Sequence, residues 1–311
     1  MDRDSHNLPP ILPVGTAVVA RVEVRGSGDA VTCPAGAVGT IIQSPVDAEH
    51  SYRVRLPGGE VVGLRRAELS VLRHFQREGM AAAEHPMAEY DLWQHVIYRC
   101  VVGSRAYGLD HADSDVDRRG VYLPPAEMHW SLYGVPEQLE NTETDECYWE
   151  LQKFLTLALK ANPNMLEVLS SPLIEQVAEL GQELLDMRDA FLSKLVYQTY
   201  NGYVMSQFQK LEQDIRNRGE VKWKHAMHLV RLLLSGVTVL RDGFVPVRVE
   251  AHRERLLAIR DGRMAWEDVD AWRLELHKQF DSAFETTRLP DRPDYEAVNG
   301  FLVRARRSAV G

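Results

Sequence analysis

Cysteine is scarce in this sequence. Cys33, Cys100 and Cys147 are the only three in 311 residues, too scattered for a zinc spacing or a disulfide framework. Long apolar runs are missing as well: none approaches the ~20 residues that a helix needs to cross a bilayer. The opening Met1-Asp2-Arg3-Asp4-Ser5-His6-Asn7 lacks the basic-then-apolar order of a secretory leader. These absences predict a soluble protein of a reducing cytoplasm. Positive charge is not in excess either. Lys and Arg number 36 against 45 Asp and Glu, a net of −9, so the whole molecule does not attract nucleic acid. Any such contact must come from local basic patches. What is present is 45% hydrophobic residues, ample for buried cores, in a length that favours two or three units.

The most informative stretch begins with the apolar, β-prone run Val96–Val102, which reads as a buried strand. It ends in Gly103-Ser104, where a residue without a side chain lets the backbone approach a ligand and a hydroxyl follows. In Asp115-Val116-Asp117 the acids stand i, i+2, so on an extended segment both carboxylates share a face and Val116 turns to the core. Two such carboxylates repel each other unless a cation lies between them. Oxygen-only donors suit Mg²⁺, which takes one or two carboxylates and completes its shell with water and phosphate. The Gly103 backbone and the Ser104 hydroxyl would cradle that phosphate at the start of a helix. Asp-x-Asp alone would be read as an acidic surface turn. With Gly-Ser at this spacing it points to metal-assisted phosphoryl or nucleotidyl transfer.

Gly103-Ser104 followed by Asp115-x-Asp117 resembles the signature of the DNA polymerase β nucleotidyltransferase superfamily. Gly103-Ser104-Arg105-Ala106-Tyr107-Gly108, continued by Ser114-Asp115-x-Asp117-x-Arg119-Gly120-x-Tyr122, resembles its RNA-repair-associated branch. That likeness runs from about Gln94 to nearly the C-terminus and leaves out the first 75 or so residues. It implies two Mg²⁺ ions, with Mn²⁺ as a substitute, an NTP, and a third carboxylate on a neighbouring strand. Asp145 is the expected third, because it precedes a helix over 149–159 at the offset the branch suggests. Glu143 shares its face by strand parity and Glu146 points the other way. A solvated acidic edge strand is the competing reading. Asn162-Pro163-Asn164-Met165-Leu166-Glu167 resembles the same branch, with Glu167 read as a structural partner and Asn162 or Asn164 as a helix cap.

A second constellation lies on the helix expected over 222–234. Lys224, His228 and Arg231 step i, i+4, i+7 along one ridge, with His225 beside it and Leu229, Val230, Leu232 and Leu233 on the buried side. Residues 216–231 hold five Arg or Lys against one Glu. Such a ridge, facing Asp115 and Asp117 across a cleft, would take up triphosphate charge. By itself it reads better as a solvated basic face. The string Lys222-x-Lys224-His225-Ala226-Met227-His228-Leu229-x-Arg231-Leu232 again resembles the repair-associated branch and favours the site reading. Lys222, Lys224, His228 and Arg231 are therefore expected nucleotide contacts, together with Gly103, Ser104 and Arg105, the last at the γ-phosphate. Arg118 and Arg119 flank the acids and can balance their charge. Gln207 and Lys210 are assigned to an acceptor or base pocket. Zinc is not expected, since His225 and His228 have no third soft ligand nearby.

The expected fold is α+β in three parts. Residues 1–75 form a small SH3/KOW-like β-barrel, with strands over 16–24, 37–43, 52–56 and 60–64 and a hairpin turn at Pro57-Gly58-Gly59. Residues 11–74 carry seven Arg and no Lys against six acids. Arg53, Arg55, Arg65 and Arg66 would contact phosphates or simply be solvated. Residues 76–190 form the nucleotidyltransferase domain with a mixed sheet, entered through a linker over 75–86 and a helix over 87–94. Residues 191–311 form a helical domain, with long helices over 193–216, 222–234 and 266–284. The expected reaction moves an NMP from an NTP to an acceptor hydroxyl, with an RNA 3′ end as first choice and Asp145 drawing the hydroxyl proton. A protein side-chain hydroxyl as acceptor, or a non-catalytic nucleotide or RNA sensor, are the alternatives.

Overall fold

The chain divides into two units, Met1–Tyr90 and Asp91–Gly311. The structure, a computed structural model, describes residues 12–25, 31–45, 50–72, 90–111 and 114–310. The polar tail over 1–10, the linker over 75–86 and the start of the helix expected at residue 87 lie outside the described residues.

The first unit contains β1 (Ala17–Ala20), β2 (Val24–Arg25), β3 (Val31–Cys33), β4 (Val38–Gln43), β5 (Tyr52–Arg55), β6 (Val61–Leu64) and β7 (Leu69–Val71). Five of these make an antiparallel sheet of order β6-β5-β4-β1-β7, and β2 pairs with β3 as a separate ribbon. Alternation along β5 and β6 sends Tyr52, Val54, Val62 and Leu64 into a core with Val18, Ile41 and Leu69. It leaves Arg53 and Arg55 exposed on the other face. The hairpin turn stands where the sequence puts it: Gly59 has φ +91 and donates to the Leu56 carbonyl at 2.9 Å. Two expectations change. The run over 16–24 breaks after Ala20, and among the described residues no pairing of β6 with β7 closes the sheet into a barrel.

The second unit follows the order β8 (Val96–Val102), α1 (Gly103–Tyr107), β9 (Asp117–Tyr122), α2 (Ala126–Trp130), β10 (Gln138–Asn141), β11 (Glu146–Glu150), α3 (Leu151–Leu159) and α4 (Pro163–Leu169). It continues with β12 (Ile174–Val177), α5 (Glu179–Asp186), α6 (Leu195–Arg218), α7 (Trp223–Asp242), α8 (Arg253–Arg260), α9 (Trp266–Thr286) and α10 (Tyr295–Ser308). Its sheet has the order β10-β11-β9-β8-β12, with β11 parallel to β9 and the other pairs antiparallel. Strand β8 is buried along most of its length, which is why it reads as a continuous apolar run rather than an alternating one. Gly120 on β9 lies so close to Tyr98 that a Cβ there would collide with the Tyr98 carbonyl.

Tertiary pairing overrides local pattern at three places. Trp149 and Glu150, expected to open a helix, stay in β11 because they pair with Val121 and Tyr122. Glu150 instead caps α3, accepting from the Gln152 and Lys153 amides at 2.9 and 3.3 Å. In place of the end of the helix expected over 87–94, Leu92–His95 forms a short 3₁₀ turn capped by Asp91. On α6 the expected stripe holds at Val196, Val204, Phe208 and Leu211, but Tyr203 is exposed and Tyr200 is buried.

Among the two candidates for capping α4, Asn162 is the cap, accepting from the Asn164 amide at 3.0 Å. The core stripe of α9 holds at Val269, Trp272, Leu276 and Phe280. One hydrophobic core runs from Tyr98 and Val121 through Phe154 and Leu166 to Leu229, Trp272 and Phe301, straight across the border expected between residues 190 and 191. Among the described residues, no helix is long and apolar enough to cross a membrane.

Because the Gly120 site has no room for a methyl group, Gly120→Ala is expected to push β8 and β9 apart. It should cost about 1–3 kcal/mol, read as a lower denaturation midpoint. An unchanged midpoint would show that the two strands can separate freely.

Candidate active site

The site is built where β8 stops. Gly103 takes φ +70 and turns the chain into α1, which ends at Gly108, also left-handed at φ 70. The antiparallel register sets Val102 opposite Asp117, so the Asp117 carboxylate lies against the Gly103 backbone. A Cβ on Gly103 would collide with Asp117 Oδ2. Glycine is required here by its φ, and any side chain would also push the Asp117 carboxylate aside.

Asp145 reaches the same place from the turn before β11, at φ 51, a left-handed conformation that costs a non-glycine residue free energy. Its backbone carbonyl accepts from the Arg118 amide at 3.0 Å and from Arg119 Nη1 at 2.7 Å. The Asp145 and Asp117 carboxyls lie close enough for each to shift the other's pKa. Arg119 supplies the counter-charge, at 2.9 Å from Asp145 and 3.9 Å from Asp117. Burial, and then the Asp145 carboxyl, hold Asp117 above the ordinary carboxylate range. Hydrogen bonds from Asp117 and Arg119 hold Asp145 below it.

Asp115 stands two residues before β9 and is exposed, while lining the same cleft. Among the described residues no three His, Cys, Asp or Glu side chains draw together closely enough to hold a metal, so the tight acidic contact is the Asp117–Asp145 pair. Asp145 sits in a turn rather than on an edge strand. Strand parity fails for Glu143, which lies in that turn with its amide bonded to Asn141 Oδ1 at 2.9 Å.

Facing this wall is the start of α7. Lys222, Lys224, His225 and His228 line the cleft with Gly103, Ser104, Asp115, Asp117 and Asp145, around a volume of about 850 Å³. Lys222 pairs with Asp214 at 2.6 Å, while Lys224 is exposed and has no acidic partner among the described residues. His225 is held below its ordinary range by burial and by Lys222 and Lys210. That influence is the trace of Lys210 here; neither Lys210 nor Gln207 lines the cleft.

Two expected contacts do not reach the cleft. Arg105 turns away to clamp the loop that carries Asp115, donating to the Ser114 carbonyl at 2.7 Å and to the Asp115 carbonyl at 3.2 Å. The Arg231 side chain is 1% exposed and forms an ion pair with Glu167 at 2.7 Å. Helical stepping puts Arg231 on the ridge, but neighbouring elements cover that end of it, and Arg231 is buried. Arg118 is also occupied elsewhere, with Glu175 at 2.8 Å.

Sequence reading missed Tyr107, His111, Ser114, Trp223, Met227 and Arg260 as cleft residues. Tyr107 lies within the Gly-Ser motif string and was available. Arg260, whose guanidinium donates to the Leu109 carbonyl, comes from α8 and had no sequence signal.

The raised Asp117 pKa has a consequence for stability. The folded state holds the Asp117 proton more tightly than the unfolded chain, so this contribution is present below the ordinary carboxylate pKa. It is lost as pH rises through the raised value. Asp117→Asn does not titrate there. In the presence of a chelator, its melting temperature relative to the parent should therefore climb from pH 4 to pH 7. A difference that stays flat or falls across that range contradicts the carboxylate pairing.

A sequence profile of the RNA repair pathway DNA polymerase beta family matches residues 72–304. The chain is also similar to the uncharacterized protein YcgL of Bacillus subtilis (strain 168), with 30% identity over 156 residues. That match takes in 49% of this chain and 58% of the relative, so it spans little more than half of the curated protein. The profile covers the cleft on both sides, from the Gly-Ser turn to the helix carrying Lys224 and Arg260 beyond it, and the chain belongs to the RNA repair pathway DNA polymerase beta family.

Proposed function

We propose that this protein transfers a nucleoside monophosphate from an NTP to an acceptor hydroxyl and releases pyrophosphate, with an RNA 3′ end as acceptor. The observation that carries the reading is one cleft in which Gly103 and Ser104 lie beside a carboxyl pair and face Lys222, Lys224 and His228. Family membership supports it.

The donor set suits Mg²⁺. Asp117 and Asp145 offer only oxygen, their mutual repulsion calls for a cation, and Mg²⁺ needs no more than one or two carboxylates when phosphates complete its shell. Asp117 and Asp145 would hold the ions, with exposed Asp115 joining them; Mn²⁺ would substitute. The metals would lower the pKa of the attacking hydroxyl and neutralise the leaving pyrophosphate.

The chain's own groups do the rest. The Gly103 backbone and the Ser104 hydroxyl orient the triphosphate, and Lys224 and Lys222 take up its outer charge. Asp145, kept ionised by Arg119, accepts the hydroxyl proton. As the acceptor oxygen bonds to the α-phosphorus, the bond to the β-phosphate oxygen breaks and its electron pair leaves with pyrophosphate. Arg53 and Arg55, exposed together on β5, support assigning the RNA strand to the N-terminal unit, with that sheet as part of a small barrel.

The test is labelled NTP with single-stranded, nicked and tRNA-like RNAs, in Mg²⁺ or Mn²⁺, resolving labelled RNA from labelled protein. Asp117→Asn should reduce transfer by roughly 10² or more. Lys224→Ala should raise the KM for NTP by about tenfold with little change in kcat. Label on protein alone, or NTP binding without turnover, refutes RNA transfer, and near-normal turnover by Asp117→Asn refutes the carboxylate assignment.

A further inference from the structure

Behind the cleft lies a buried polar group for which the proposed chemistry has no role. Arg231 Nη1 and Nη2 form a fork on Glu167 Oε1 and Oε2 at 2.7 and 3.3 Å. The Tyr107 hydroxyl donates to Glu167 Oε2 at 2.6 Å, and the guanidinium carbon rests 3.6 Å from the centre of the Tyr107 ring. These contacts join α1, α4 and α7, and they leave the guanidinium little freedom to turn.

A fourth contact decides a proton. Arg231 Nη2 lies 3.3 Å from His228 Nδ1. A guanidinium has only donors, so His228 Nδ1 must accept and the ring proton must sit on Nε2. Among the described residues nothing bonds to that Nε2, and it is not one of the buried atoms left without a partner. It is therefore open to the cleft that His228 lines.

We infer that Arg231, held by Glu167 and Tyr107, is a positioning residue that fixes His228 in its uncharged Nε2–H form, and that this N–H donates to a phosphate oxygen of the bound nucleotide. The inference rests on the nucleotide reading of the cleft given above. Its surroundings favour the uncharged ring. Burial, and then Arg231 from α7, act against a second proton, His225 on the same helix acts the same way, and only Glu167 from α4 opposes them. Together they push His228 down to about 4. The lysines then supply charge, and His228 supplies a direction that does not change across neutral pH.

The tautomer is read directly from long-range ¹H–¹⁵N correlation spectra of the uniformly ¹⁵N-labelled full chain, at pH 7. The parent should show Nε2–H, and Arg231→Lys, which loses the fork, should show a mixture of tautomers. Adding inorganic triphosphate with Mg²⁺ should shift His228 Nε2 together with the Ser104 and Lys224 amides. The Gln side chain can place an N–H near the Nε2 position and Asn near Nδ1. The KM for NTP of His228→Asn should therefore exceed that of His228→Gln by about tenfold. An Nδ1–H ring or an imidazolium at pH 7 in the parent overturns the positioning role. A His228 that stays still while Ser104 and Lys224 respond overturns the phosphate contact. If none of the three responds, the nucleotide reading itself falls and takes this contact with it, a result distinct from a wrong tautomer in a protein that binds.

Discussion

Everything at the cleft depends on the register between β8 and β9, which sets Val102 opposite Asp117. A slip by one residue would turn every side chain of β9 to the other face of the sheet and take Asp117 away from the Gly103 turn. Gly120 keeps the two strands close enough for that register, and Gly103 leaves space for the carboxylate at its end. Parallel pairing of β11 with β9 then brings the turn containing Asp145 alongside. The acid pair is therefore a product of backbone pairing, and Arg119 then holds it.

The site keeps like charges together, and the rest of the unit absorbs the cost. Asp117 and Asp145 lie beside each other, with Arg119 as their counter-charge and a left-handed residue in the turn. Such strain persists because the surrounding pairing over-determines it. A different arrangement lies deeper, where Arg231 and Glu167 are both almost fully buried. Removing one member of such a pair is expensive, since the other is left charged and unpartnered. Four hydrogen bonds and a ring face hold this group, with Arg231 Nε left without a partner among the described residues, and they tie the Gly-Ser turn to the basic helix. Both walls of the cleft are thus referred to one rigid contact.

Much of this was legible in the sequence, for physical reasons that can be named. Strand β8 showed as an apolar, β-prone run, the turn after it as Gly-Ser, and Asp117 as half of an i, i+2 acid pair whose other half, Asp115, stays outside the strand. Lys224 and His228 followed from helical stepping and do line the cleft. What was not legible depended on neighbours far along the chain. Arg105 had the charge for a phosphate but found two carbonyls of its own loop. Trp149 had the pattern of a helix start but found β9. Tyr203 and Tyr200 differ by less than one helical turn, and only packing could choose which would be buried.

By itself, then, the sequence determined the strand before the Gly-Ser turn, the turn itself, the core faces of the longer helices, and that acids and bases would be held on different elements. Those follow from local periodicity, backbone sterics and side-chain type, all of which act over a few residues. Only the tertiary structure decided that Asp117 meets Asp145, that Arg119 neutralises them, and that Arg231 turns inward to Glu167 and His228. Charged groups separated by tens of residues can choose partners only once the sheet and helices have brought them within a few ångströms. In the folded interior, the strength of those choices depends on burial that no local stretch of sequence contains.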